Sequence, residues 1–259
     1  MIGILDSGMG GLITARAFRE EWPAEDIVYF GDTARAPYGN KSSETIRDFS
    51  MDGAAFLQEQ GAGLIVIACH TIAAAAGQHL AAAMGVPVVD GIVPAAEQAV
   101  GISKKGQIGI IGSQALVESD RYPEIISHLD PQARLFSATC PLLVPLINAG
   151  RINKPESAMI VKKCLHPLKT RQIDTLILAN PYFTMLKQII QRKIGRRVAL
   201  VDPTETLVDK LGDIITTCKD RVSTNDDARR LMCWVTDLSA ESARMATVLY
   251  GRHISLNRV

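Results

Sequence analysis

At 259 residues the chain suits one large α/β domain or two lobes of roughly 100–130 residues each. Hydrophobic residues make up 47% and charged residues 21%, which supplies a sizeable core and excludes a disordered composition. Lys and Arg number 28 against 27 Asp and Glu, a formal net charge of +1, so no chain-wide field favours nucleic acid or an anionic membrane, and a small molecule is the expected partner.

The first residues, "MIGILDSG", read as a strand and not as a basic segment leading into an apolar signal core. No apolar run approaches the ~18 residues of a membrane helix, so the expectation is a cytoplasmic protein without a membrane partner. In chain order the short apolar runs "IGILD", "IVYFGD", "LIVIAC", "PVVDG", "QIGIIG", "RLFSA", "DTLILA" and "RVALVD" alternate with amphipathic or Ala-rich stretches. Such alternation predicts βαβ units and mainly parallel sheets, because strands buried on both faces read as continuous apolar runs. Helices are expected over 10–21, 42–60 (entered through Ser42 or Ser43), 71–84, 92–101, 155–168 and 182–193. The tail from about 204 reads as mostly helical.

Three ordered pairs of segments repeat: "IGILDS" (2–7) with "IGIIGS" (108–113), "LIVIACHT" (64–71) with "LILANPY" (176–182), and "VPVVDG" (86–91) with "VALVDP" (198–203). Their offsets drift by only a few residues, which predicts a duplication: two similar, pseudo-symmetric α/β lobes with a ligand cleft between them. The expected boundaries are 1–97 plus 208–259 for one lobe and 98–207 for the other. Ligands of open α/β sheets bind beyond the carboxyl ends of the strands. On that rule Asp6 and Ser7, Cys69 to Thr71, Gly112 and Ser113, and Asn180 to Tyr182 should converge on one site.

The cysteines Cys69, Cys140, Cys164, Cys218 and Cys233 are odd in number, scattered and without a CxxC pair, so reduced thiols are expected and neither a disulfide framework nor structural zinc. His79, His128, His166 and His253 lack ligand spacing, and no metal or cofactor is predicted. "DSGMGG" lacks the Lys-Ser/Thr ending of a phosphate-binding loop. It suits a turn for an amino acid, with Ser7, Gly8 and the following amides meeting a carboxylate and Asp6 meeting an ammonium group. In "APYG", Pro37 and Gly39 set a tight turn from which Tyr38 can lie over the cleft. Cys69 ends an apolar strand just before an Ala-rich helix, where a helix N-terminus can tune a thiol, while a small buried side chain is the plainer alternative. His70 beside it is either an acid–base group or a hydrogen-bonding residue behind the site, the latter being favoured.

Four stretches together resemble the glutamate racemase family, within the aspartate/glutamate racemases: "GILDSGMGGL" (3–12), "DIVYFGDTARAPYG" (26–39), "VIACHTIAAA" (66–75) and "CPLLVPLINAG" (140–150). The likeness extends over nearly the whole chain. It implies cofactor-independent inversion at the α-carbon of glutamate in the supply of bacterial cell-wall precursors, by two cysteines acting from opposite faces. Inversion needs that arrangement, because one group removes a proton from one face and another delivers a proton to the opposite one. On this resemblance Cys69 is the first of the two, with Asp6 beside it, and Ser7, Pro37, Tyr38, Gly39, His70, Thr71, Asn180, Pro181 and Tyr182 are the residues expected around the substrate. The family reads Gly-Cys-Thr-His at the second junction, where this chain has Ala179-Asn180-Pro181-Tyr182. Tyr182 falls on the family's assisting histidine and Asn148 on its supporting glutamate. An amide cannot titrate, and an ordinary tyrosine with pKa near ~10 is a poor proton carrier at neutral pH. Three readings follow: a racemase of an acidic amino acid, with inversion impaired; a lyase or decarboxylase-like enzyme working with one cysteine; and a regulatory protein that binds the ligand without turnover. An acidic amino acid or related carboxylate is the expected ligand, and a homodimer is left open.

Overall fold

The computed structural model describes residues 1–217 and 230–259, which divide into two compact units, 1–91 with 207–259 and 92–206. Cys218 lies outside the described residues.

The first unit runs β1 (Ile2–Asp6), α1 (Gly11–Glu21), β2 (Ile27–Gly31), α2 (Ser43–Glu59), β3 (Leu64–Ile67), α3 (His70–Ala83) and β4 (Val88–Asp90). The second holds α4 (Ile92–Ile102), β5 (Gln107–Gly112), α5 (Gln114–Val117), α6 (Arg121–Leu129), β6 (Arg134–Thr139), α7 (Leu143–Asn148), α8 (Pro155–Thr170), β7 (Thr175–Leu178), α9 (Lys187–Ile194) and β8 (Ala199–Val201). The chain then passes through α10 (Pro203–Thr217) and returns to the first unit with β9 (Leu231–Val235), α11 (Ala240–Tyr250) and β10 (Leu256–Arg258).

Among the described residues all strand pairs are parallel. The first sheet has the order β10-β9-β2-β1-β3-β4 and the second β6-β5-β7-β8. β2-β1-β3-β4 and β6-β5-β7-β8 are therefore the same motif. The register repeats as well: Ile2 stands opposite Leu64 as Ile108 stands opposite Thr175, and Ile65 opposite Val88 as Leu176 opposite Leu200. The central strands β1, β3, β5 and β7 are buried almost throughout, as strands covered by helices on both faces must be.

Local chemistry sets most boundaries. Ser42 accepts the Thr45 N–H at 3.2 Å, so it is the cap that starts α2. Pro155 opens α8, where its missing N–H costs nothing. The tail carries the helices α10 and α11 as expected, and in addition Leu231–Val235 and Leu256–Arg258 are strands that extend the first sheet beyond β2. The run "LMCWV" is short enough to be read either way, and its pairing with β2 decides it. The expected helix over 182–193 is split: Pro181–Leu186 forms a 3-10 turn and only Lys187–Ile194 is α-helical.

The expectation of reduced thiols is corrected as well. Cys140, just past β6, is joined to Cys164 on α8 in a disulfide with Cα atoms 5.7 Å apart, while Cys69 and Cys233 are free and buried. Pairing depends on the distance between Cα atoms in the fold, which scattered spacing does not reveal. No helix among the described residues is long and apolar enough to cross a membrane.

Candidate active site

In the first unit β1 and β3 deliver their chemistry side by side. β1 ends in Asp6, followed by Ser7, and β3 runs into Cys69, which precedes the first turn of α3. Ser7 Oγ and Cys69 Sγ are hydrogen-bonded at 3.1 Å. The Thr71 and Ile72 amides at the start of α3 also bond the sulfur and, with Ser7, favour its ionised form. Burial and the neighbouring Asp6 charge outweigh them and push the Cys69 thiol up, so its resting form is the protonated one.

Asp6 is almost fully buried. Its carboxyl is pushed up by desolvation and held back by donors from the Gly11 amide, Tyr29 hydroxyl, Gly8 amide and Ser7 amide. The Gly8 N–H lies 3.1 Å and the Tyr29 hydroxyl 3.2 Å from Oδ2. These loop amides were expected to receive a ligand's carboxylate; in the structure they bind Asp6, and the Ser7 hydroxyl serves Cys69. Tyr29 braces the loop, its one hydroxyl proton shared between Asp6 and the Gly8 carbonyl, which lies at 2.7 Å. The approach is so close that a Cβ on Gly31 would stand 2.1 Å from the Gly8 oxygen, and one on Gly11 2.9 Å from the Asp6 Cβ.

Pro37 is exposed, Gly39 is partly exposed, and Tyr38 between them is buried. It is 2% exposed and donates its hydroxyl to Asp32, which also binds Arg35 Nε at 2.5 Å and Thr236 Oγ1 at 2.8 Å. Burial and Asp32 push the Tyr38 hydroxyl far up, with the Cys69 charge contributing. His70 is buried, hydrogen-bonds the Ala68 backbone and has its pKa lowered to about 4 by desolvation, so it is neutral near pH 7. Thr71 is also buried.

The second unit treats the equivalent strand ends differently. Past β5, Ser113 caps α5 by accepting the Leu116 N–H at 3.3 Å. Past β7, Asn180 Oδ1 accepts the Tyr182 N–H at 3.0 Å and thereby caps the 3-10 turn that Pro181 opens. Pro181 and Tyr182 are buried, and the turn packs against α7, the helix that ends at Asn148. Asp202, just after β8, is 1% exposed and bonded by Thr184 Oγ1 at 2.9 Å. Among the described residues no group of three or more His, Cys, Asp or Glu could hold a metal.

Tyr29, Asp32 and Thr236 belong to this framework but escaped the sequence reading. Tyr29 lies within an apolar run and reads as core. Asp32 could have been found, since like Asp6 it is a carboxylate placed directly at the end of an apolar strand.

The Asp/Glu/Hydantoin racemase family model matches residues 13–211. The chain is 39% identical to the glutamate racemase of Syntrophus aciditrophicus over 83% of its own length and 79% of that protein. The chain belongs to the glutamate racemase family. Its fold agrees with glutamate racemase isoform RacE1 of Bacillus anthracis at a TM-score of 0.93 and 31% identity, over 100% of this chain and 97% of that one. It agrees with the glutamate racemase of Francisella tularensis, solved with D-glutamate, at 0.92 and 29%, over 100% and 96%. Members of the family are isomerases, and the likeness spans both units of this protein.

Proposed function

We propose that the protein binds an acidic amino acid, glutamate foremost, and transfers a proton at its α-carbon through Cys69 from one face, with inversion slow or absent. The observation that carries this reading is the contrast between two equivalent strand ends. One presents a thiol within a network of Ser7, Asp6 and helix amides; the other presents Asn180, whose carbonyl is engaged with the Tyr182 N–H. A thiol on one face can give or take a proton, and an amide engaged as a cap cannot return one from the other.

The electrostatics define the ligand's part. Asp6 and Cys69 oppose each other's ionisation, so the empty pair resists carrying two negative charges. The ammonium group of an amino acid compensates one of them, so that Cys69 releases its proton to solvent and the thiolate that removes the α-proton forms in the presence of substrate. Electrostatic repulsion thus makes Cys69 a proton donor at rest and a base once the ligand is bound.

The decisive measurement is incubation with L- and D-glutamate in deuterated water, following α-proton exchange and optical inversion separately. Exchange of one enantiomer with retention, abolished by Cys69→Ala, is the expected outcome. The triple change Asn180→Cys, Tyr182→His and Asn148→Glu should recover more inversion than Asn180→Cys alone. Release of a decarboxylated or otherwise cleaved product would favour the one-cysteine lyase, and binding without exchange the regulatory protein. Brisk inversion of both enantiomers by the unaltered protein would overturn the proposal.

A further inference from the structure

The balanced charge of the whole chain conceals a local imbalance. Residues 92–206 carry fifteen Lys and Arg against nine Asp and Glu, whereas the remainder carries thirteen against eighteen. Between Val161 and Val201 there are nine Lys and Arg, and Asp174 is the only acid.

Topology gathers these charges. Because β5 to β8 are parallel, their amino ends share one edge of the second sheet, opposite the edge that leads into Ser113 and Asn180. The entry to each strand there is basic: Lys104 and Lys105 before β5, Arg134 as the first residue of β6, Arg171 before β7, and Arg196 and Arg197 before β8. In the spatial order β6-β5-β7-β8 the six cations line the whole edge. All six are exposed, and none is in an ion pair among the described residues, although Arg16, Arg35, Arg121, Arg151 and Lys187 all are. The two acids on the same edge are hydrogen-bonded to neighbouring loop groups. Asp174 accepts from Ser103 Oγ at 2.7 Å and the Lys105 N–H at 2.6 Å, and Asp130 accepts the Gln132 N–H at 2.9 Å. Protein surfaces ordinarily intersperse the two signs, and an unmixed strip creates a field that attracts a polyanion.

We propose that this edge binds the phosphate backbone of double-stranded DNA without reading its bases. Four strands at ~4.8 Å spacing make a strip about 14 Å long. A duplex presents one charge per ~1.7 Å of its axis, or about eight phosphates over that length, which six unpaired cations can engage in part. Single-stranded nucleic acid needs aromatic rings on which bases stack. The ring on this strip, Phe136, has the Arg171 guanidinium 5.5 Å from its centroid. Membrane surfaces are met by the continuous apolar face of an amphipathic helix. Here the large apolar side chains bordering the strip are Ile102 and Leu129, single residues at the ends of α4 and α6.

The test is fluorescence anisotropy of the full chain with two labelled duplexes of unrelated sequence at increasing salt. Both should bind alike, with log affinity falling against log salt at a slope of about −4 to −5, or about 0.9 per phosphate engaged. Arg171→Glu, Arg196→Glu and Arg197→Glu together should weaken binding at least tenfold. Far-ultraviolet circular dichroism and the alkylation rate of Cys69 should be unchanged, and the corresponding Lys variant should keep the affinity. No binding at low salt, equal binding by the Glu variant, or binding to phosphatidylglycerol vesicles in place of the duplex each overturns the proposal. None of these readouts depends on turnover of an amino acid.

Discussion

At the scale of single residues, Cys69 shows how a thiol can sit at a helix start and still be held protonated. The Thr71 and Ile72 amides stabilise its thiolate, and burial with Asp6 opposes them more strongly. Asp6→Asn removes the opposing charge, so the midpoint of the pH–rate profile for Cys69 alkylation, followed by mass spectrometry, should move down. An unchanged midpoint would show that Asp6 does not act on the thiol. His70 supplies a second prediction, on stability. Its folded pKa is about 4 against an ordinary 6.5, so above that range both states hold a neutral ring and nothing is linked to pH. As pH falls through the window the unfolded chain takes up a proton that the folded one refuses, and stability drops by on the order of 3 kcal/mol. Urea unfolding at the two ends of the window should show that loss in the unaltered protein and a smaller one in His70→Asn. Cys69 and Asp6 were legible because a polar residue terminating an apolar run is conspicuous. Thr236 was not, because the carboxylate it serves, Asp32, lies 204 residues away in sequence.

At the scale of elements, the 3-10 turn Pro181–Leu186 depends on the residue at the second strand end. A cysteine at position 180 would leave the Tyr182 N–H without the Asn180 oxygen that now accepts it. Loss of a cap of this kind costs about 1 kcal/mol. Asn180→Ala should therefore lower the unfolding free energy by about that amount, measured in urea, and equal stability would show that the cap contributes nothing. For the same reason the variant Asn180→Cys begins from a weakened turn, and Tyr182→His and Asn148→Glu must be judged against that loss. The order of strands β1 to β8 and of the helices over 10–21, 42–60, 71–84, 92–101 and 155–168 could be read from alternation of apolar runs and caps, whereas α5 and α6 were not foreseen. The division of 182–193 into two helix types could not, since aromatic residues behind a proline suit either type until tertiary packing selects one. α7 gave no helical signal either, because its six residues include Pro145 and offer too little periodicity.

At the scale of the whole molecule, repetition was the most informative signal, because matched segments fell on matched strands with the same register. Two features escaped it: the added strands β9 and β10, which have no counterpart in the second sheet, and the Cys140–Cys164 pair, which only the fold brings together. The division of the chain also has a consequence for biosynthesis. The second unit is one uninterrupted stretch, 92–206, whereas the first needs Ile27 to meet Leu231 and Gly31 to meet Val235. A ribosome releases the chain from its amino end, and domains fold as their residues emerge. The second unit can therefore complete its sheet while β2 is still an open edge awaiting β9. During that interval the exposed strand is a template for other chains, so the vulnerable period of synthesis runs from completion of the second sheet to the arrival of β9, and a chain stopped before β9 leaves the half that holds Cys69 unfinished.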